Sequence, residues 1–136
     1  MNEIEILKFM GSCGFMFKRS EIVPAIEYLK KMRKNDKVLA IYQDKKLHAI
    51  IIFSITNEEH KFLKKSTWEF LESNPSGQAI IIDYLACKQF DYDLRNEIRS
   101  YFCVKHPQFE YALWKRFRKP FDKVVKVYKE KQLCTQ

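Results

Sequence analysis

Helix-like and strand-like hydrophobic patterns alternate along this chain. Asn2 is suited to cap a helix, and Ile4, Leu7 and Met10 follow at helical spacing, which predicts a helix over Asn2 to Met10. Gly11-Ser12-Cys13-Gly14 breaks it. Ser20 is placed to cap a second helix, with Pro24 in its first turn and Ile22, Ala25, Ile26, Leu29 and Met32 as its apolar stripe. Asn35-Asp36 ends that helix. Val38 to Tyr42 and Leu47 to Ile55 then read as two strands around the polar turn Gln43-Asp44-Lys45-Lys46. Asn57 to Ser73 predicts a third helix carrying Phe62, Leu63, Trp68, Phe70 and Leu71.

Asn74-Pro75-Ser76-Gly77 is a breaker, and the continuous apolar run Ala79 to Cys87 predicts a buried central strand. A helix over Tyr92 to Val104 turns Leu94, Ile98, Tyr101 and Phe102 inward and stops at His106-Pro107. Phe109 to Phe117 reads as a strand, Val124 to Tyr128 as the last one, and the lysine-rich end is expected to fray. This order predicts an α+β domain: a mixed, mainly antiparallel sheet with helices on both faces. The strand–helix–strand over 79–117 is expected to form one right-handed parallel unit. At 136 residues, with no repeat or composition break, positions 1–136 make one domain.

Composition narrows the function. The chain is 46% hydrophobic and 15% aromatic, which excludes a disordered or collagen-like polypeptide. Its three glycines, Gly11, Gly14 and Gly77, cannot build a glycine-rich phosphate loop. The longest apolar run, Ala49 to Ile55, is far short of the ~20 residues of a membrane span. Met1 to Phe17 lacks the basic start and cleavage site of a signal peptide, so a cytoplasmic domain is expected. Cys13, Cys87, Cys103 and Cys134 are scattered and expected to be reduced thiols; with His48, His60 and His106 they form no metal-ligand spacing, so no metal is expected. The net charge is +8, and residues 88–136, with 12 basic and 6 acidic side chains, hold most of it. Such a half attracts an acidic protein, nucleic acid or another phosphate-bearing partner, while ordinary solubility charge explains it equally well.

Asp83 is an acidic residue inside an apolar strand, where an unpaired carboxylate is costly to bury. It is either a catalytic or orienting carboxylate, or a strand-end Asp facing solvent or paired with a lysine. The turn after it aims the amides of a helix N-terminus toward one end of the sheet, where anions bind. Lys88, Arg95 and Arg99 add positive charge there, and Asp91 and Asp93 subtract from it. In Phe109 to Pro120 aromatic and basic residues interleave, a pattern of single-stranded nucleic-acid surfaces and equally of an amphipathic strand.

From Ile22-Val23-Pro24-Ala25-Ile26 to Trp114-Lys115-Arg116 the chain resembles the toxin-activating lysine acyltransferases of RTX-toxin operons, an outlying branch of the GNAT fold. The resemblance rests on that helix, the hairpin, Glu58-Glu59, Phe62-Leu63, Ser76-Gly77 and Ile81-Ile82-Asp83-Tyr84. It continues through Leu94-Arg95-Asn96-Glu97-Ile98-Arg99 to His106-Pro107 and covers about two-thirds of the chain. It implies a GNAT-like domain that acylates a lysine from acyl carrier protein or acyl-CoA.

In that branch an aspartate at the position of Asp83 pairs with a histidine nearer the N-terminus. No histidine precedes His48 here, and His48 can substitute only where its strand lies beside Asp83. Tyr84 and Tyr111 are then candidate general acids. The resemblance also implies that the backbone at Leu85 and Ala86 pairs with pantetheine, while Lys88, Gln89, Arg95 and Asn96 surround the phosphates. The glycine-containing phosphate loop of that fold is replaced by Lys88-Gln89-Phe90-Asp91-Tyr92-Asp93. Two readings stay open: an acyltransferase moving an acyl group from a thioester to an amine such as a protein lysine, and an inactive module of the same fold. The latter, similar in size to small GNAT-like proteins of phage genomes, would use its basic half to engage an acidic protein or nucleic acid.

Overall fold

The computed structural model describes residues 1–115 and 124–129. Its elements are α1 (Glu3–Ser12), α2 (Ile22–Lys34), β1 (Val38–Gln43), β2 (Lys46–Thr56), α3 (Glu59–Lys64), β3 (Ala79–Cys87), α4 (Tyr92–Lys105), β4 (Tyr111–Lys115) and β5 (Val124–Tyr128), with a 3-10 turn at Arg19–Glu21 before α2. The strands lie in sequence order, β1 to β5. Every neighbouring pair is antiparallel except β3 and β4. The structure is thus the mixed, mainly antiparallel α+β sheet, with its parallel pair flanking α4.

Local chemistry accounts for most boundaries. Asn2 and Glu5 form a reciprocal capping box at the start of α1. The helix runs through Gly11 to Ser12 and is released at Gly14, whose φ of +103° no L residue adopts readily. Ser20 lies inside the 3-10 turn and does not cap α2. Asp44 and Lys45 both take positive φ, the two-residue hairpin geometry that suits strand twist. Gly77 lies against the end of β2: a Cβ there would stand 2.6 Å from the Thr56 backbone nitrogen.

The sheet separates two cores. Ile50, Ile52 and Ala86 pack under α1 and α2 with Ile6, Met10, Tyr28, Leu29 and Met32. Ile51, Phe53, Ile55 and Ile80 pack on the other face against Leu94, Ile98 and Phe102 of α4. Helices therefore cover both faces. A smaller cluster joins Phe62 of α3 to Ala79, Ile81 and Leu113.

Two expectations differ from the structure. The helix over 57–73 shortens to α3, because Phe62 and Trp68 serve different cores and the chain must leave the helix to reach both. Trp68 has φ +65°, a left-handed conformation that ends any helix and is strained for a bulky residue. Cys103 is disulfide-bonded, while Cys13 and Cys87 are free, so the thiols are not all reduced. The last two residues of the predicted strand 109–117, the segment to Pro120, the fraying end and Cys134 lie outside the described residues.

Candidate functional site

The site begins with an irregularity in β3. Ile52 of β2 pairs with Tyr84, but the next residue, Phe53, pairs with Ile82, which leaves Asp83 as an extra residue in a β-bulge. A bulge lets two successive side chains share a face. Asp83 and Tyr84 accordingly point to the α1–α2 side, while Ile82 and Leu85 point to the α4 side. Strict strand alternation would have put Asp83 and Tyr84 on opposite faces.

The Asp83 side chain is only 6% exposed. The Tyr28 hydroxyl donates to its Oδ2 at 2.5 Å, and Lys65 Nζ lies 3.4 Å from the same oxygen. Burial raises the Asp83 pKa, with the Lys65 charge and the two hydrogen bonds pulling it back down. The Tyr28 hydroxyl is held protonated well above its ordinary range by burial and by the neighbouring carboxylate. Lys65 ends α3 in an extended conformation that sends its ammonium inward, 5.1 Å from the Tyr28 ring centroid. A buried, paired carboxylate that retains a raised pKa is a group suited to accepting a proton.

An aromatic wall fixes this cluster. Tyr84 stacks on Trp68 at 4.8 Å, and Tyr28 meets both rings edge-on. Trp68 Nε1 donates to Glu21 Oε2 at 2.9 Å, which ties the strained turn to the start of α2. Burial and the Asp83 charge hold the Tyr84 hydroxyl protonated well above its usual range.

Among the described residues β3 and β4 pair only from Ala79↔Tyr111 to Ile81↔Leu113. The gap opens on both faces of the sheet. On the Asp83 side a cavity of about 260 Å³ is lined by Phe62, Lys65, Thr67, Asp83, Tyr84 and Lys115, among others. On the α4 side a more apolar cavity of about 380 Å³ is lined by Leu85, Phe90, Ile98, Phe109 and Tyr128, with Arg95 and Arg99 among its polar members. Ile82 and Trp114 belong to both.

The residues expected around a cofactor divide accordingly. Leu85 and Arg95 line the α4-side cavity, while Ala86 is buried beneath α1 and α2. Lys88 turns away to Ser12 Oγ, 2.7 Å distant, and Gln89 and Asn96 line neither cavity. The α4 N-terminus, where a diphosphate would bind, carries its own carboxylate: Asp91 accepts from the Leu94 amide at 2.8 Å. The α4-side cavity is thus mostly apolar, and one first-turn amide of α4 is already taken by a carboxylate. Tyr111 lies beside Tyr128 and the Lys126 ammonium, outside both cavities.

His48 lies at the opposite end of β2, where its carbonyl accepts from the Lys88 amide and its neighbour Ala49 pairs with Cys87. Its buried Nε2 has no partner among the described residues. The structure does not bring it to Asp83; Tyr28 and Lys65 stand there instead. The sequence allowed a lysine partner for Asp83, which Lys65 is, but singled out neither residue, nor Trp68 and Trp114 as walls. Tyr28 carried one legible signal, its place on the buried stripe of α2. Lys65 carried none, because Lys61, Lys64 and Lys65 look alike until the helix ends. Among the described residues no cluster of His, Cys, Asp or Glu could hold a metal, and no helix is long and apolar enough to cross a membrane.

Comparison with solved structures places this arrangement. The chain is similar to the loading GNATL domain of CurA from Lyngbya majuscula, with a TM-score of 0.57 and 13% identity over 85% of this chain. The fold is GNAT-like. The chain spans 60% of the length of that relative. A candidate acetyltransferase from Staphylococcus aureus Mu50 aligns at a TM-score of 0.48 and 15% identity, covering 86% of this chain and 78% of its own. No family model and no curated protein sequence matches the chain. On this GNAT-like scaffold the parted strands β3 and β4 form the principal cleft, with Asp83 on its wall.

Proposed function

We propose that the protein transfers an acyl group from a thioester donor to an amine, with the β3–β4 gap as the reaction cleft. The observation that carries this reading is the buried Asp83, with its raised pKa, on the wall of the cavity beside the β3–β4 gap. Beyond Ile81 the edge of β3 facing β4 has no strand partner among the described residues, so its backbone can receive the amides of a pantetheine-like arm as a short added strand. Asp83 then accepts the proton of the attacking amine, and the cleft holds thioester and amine in register. Tyr84 closes the Asp83-side wall, and its stacking on Trp68 makes it a positioning group rather than an acid. His48 takes no part.

The finer reading follows the toxin-activating lysine acyltransferases: a cytoplasmic enzyme acting on a protein lysine with acyl carrier protein or acyl-CoA as donor. The capped helix end at Asp91 favours a donor recognised through its acyl-pantetheine arm over one held by its diphosphate. The same cap and the unmatched histidine also support a second reading, an inactive GNAT-fold module that engages an acidic protein or nucleic acid. Small proteins of phage genomes are the fold-level analogy for it. Incubating the full chain with acyl-CoA, acyl carrier protein and a lysine peptide separates the two. Acylated peptide, with a thermal shift on adding donor, supports the enzyme. Silence in both, together with salt-sensitive binding to a polyanion, overturns the enzyme reading in favour of the module.

A further inference from the structure

Lys61, Lys64 and Lys65 follow one another at the end of α3, yet they have different fates. Lys61 and Lys64 are exposed, and Lys61 pairs with Glu58 across one turn of the helix. Lys65 is 10% exposed, lines the Asp83-side cavity and ends 3.4 Å from Asp83 Oδ2. Burying an ammonium for the sake of one ion pair is a poor way to stabilise a fold. The geometry instead places an amine and a proton acceptor side by side on the wall of the cleft. Resting on the proposed thioester chemistry, we propose that Lys65 is itself an acyl acceptor, so that a donor thioester in the β3–β4 gap modifies its Nζ.

The step balances within the site. Asp83 takes one proton from the Lys65 ammonium, and the freed amine attacks the thioester carbonyl. The C–N bond forms and the C–S bond breaks. The second amine proton leaves with the sulfur as a free thiol, and Asp83 returns its proton to water. The product is a neutral amide, so Asp83 loses its cationic partner and the modification is self-limiting at one acyl group per chain.

The test incubates the full chain with acetyl-CoA, and separately with the acetyl thioester of N-acetylcysteamine, in the presence of a lysine peptide. Peptide mapping by mass spectrometry follows each lysine over time. Lys65 should be acetylated about tenfold faster than Lys61 and Lys64 despite its burial, as expected for an amine held beside its base. That preference should vanish in chain unfolded by urea and in Asp83→Asn, and the single added acetyl should be missing from Lys65→Arg. Labelling of Lys65 no faster than its two exposed neighbours in the folded chain overturns the inference. If the peptide is acetylated while Lys65 stays bare, the inference fails and the transferase reading stands. If neither is modified, the inference fails, and the incubation with acyl carrier protein decides the transferase reading. If Lys65 alone is modified, the inference stands and transfer to external amines is wrong.

Discussion

At Asp83 two opposing effects meet. Burial disfavours the carboxylate, while the Lys65 ammonium and the Tyr28 hydroxyl favour it, and burial prevails. Replacing Lys65 with Met removes the largest favourable influence, so the Asp83 pKa should rise further; carboxyl carbon NMR across a pH titration measures this directly. Stability should follow the same logic. Because the folded state keeps the Asp83 proton to higher pH than the unfolded chain, this group's stabilising contribution is full below the ordinary carboxylate range. It is lost as pH rises through the raised folded pKa. Asp83→Asn should therefore flatten the pH dependence of the urea midpoint across that window, compared with the parent protein. An unchanged slope would mean that Asp83 titrates normally.

At the scale of elements, what was legible and what was not divide along physical lines. Periodicity and capping chemistry located α1, α2, β1, β2, β3, α4 and β5, because each pattern is local. The bulge at Asp83 was not legible, since it arises from how β3 pairs with β2 rather than from any residue within β3. The shortening of α3 was hidden for a similar reason: Phe62 and Trp68 both read as apolar helix residues, and only tertiary packing sends them to different cores.

Gly77→Ala would drive its Cβ against the Thr56 backbone and should cost about 1–3 kcal/mol, read as a lowered urea midpoint. Asp91→Ala removes the cap of α4 and should cost about 1 kcal/mol. It also frees the helix N-terminus for anions, so affinity for CoA should rise relative to a phosphate-free pantetheine thioester in calorimetry. Equal affinities before and after the change would show that donor phosphates bind elsewhere.

For the molecule as a whole, the sheet brings together residues distant in sequence: Tyr28 from α2, Lys65 from the turn after α3, Asp83 from β3 and Trp114 from β4. Sequence reading found the strand-embedded carboxylate because a lone charge in an apolar run is conspicuous. It could not find the partners, because their proximity is a consequence of the fold. Among the described residues of the basic half, Lys126 pairs with Glu59, while Lys88 keeps its charge and bonds to the Ser12 hydroxyl. Amine-dependent thiol release from an acyl thioester measures most directly whether Asp83 assists acyl transfer in the β3–β4 gap. The parent chain should release thiol in proportion to added lysine peptide, and folded Asp83→Asn should be slower by about 10²-fold or more. Equal rates in the two proteins, or no amine-dependent release from the parent, would contradict the account.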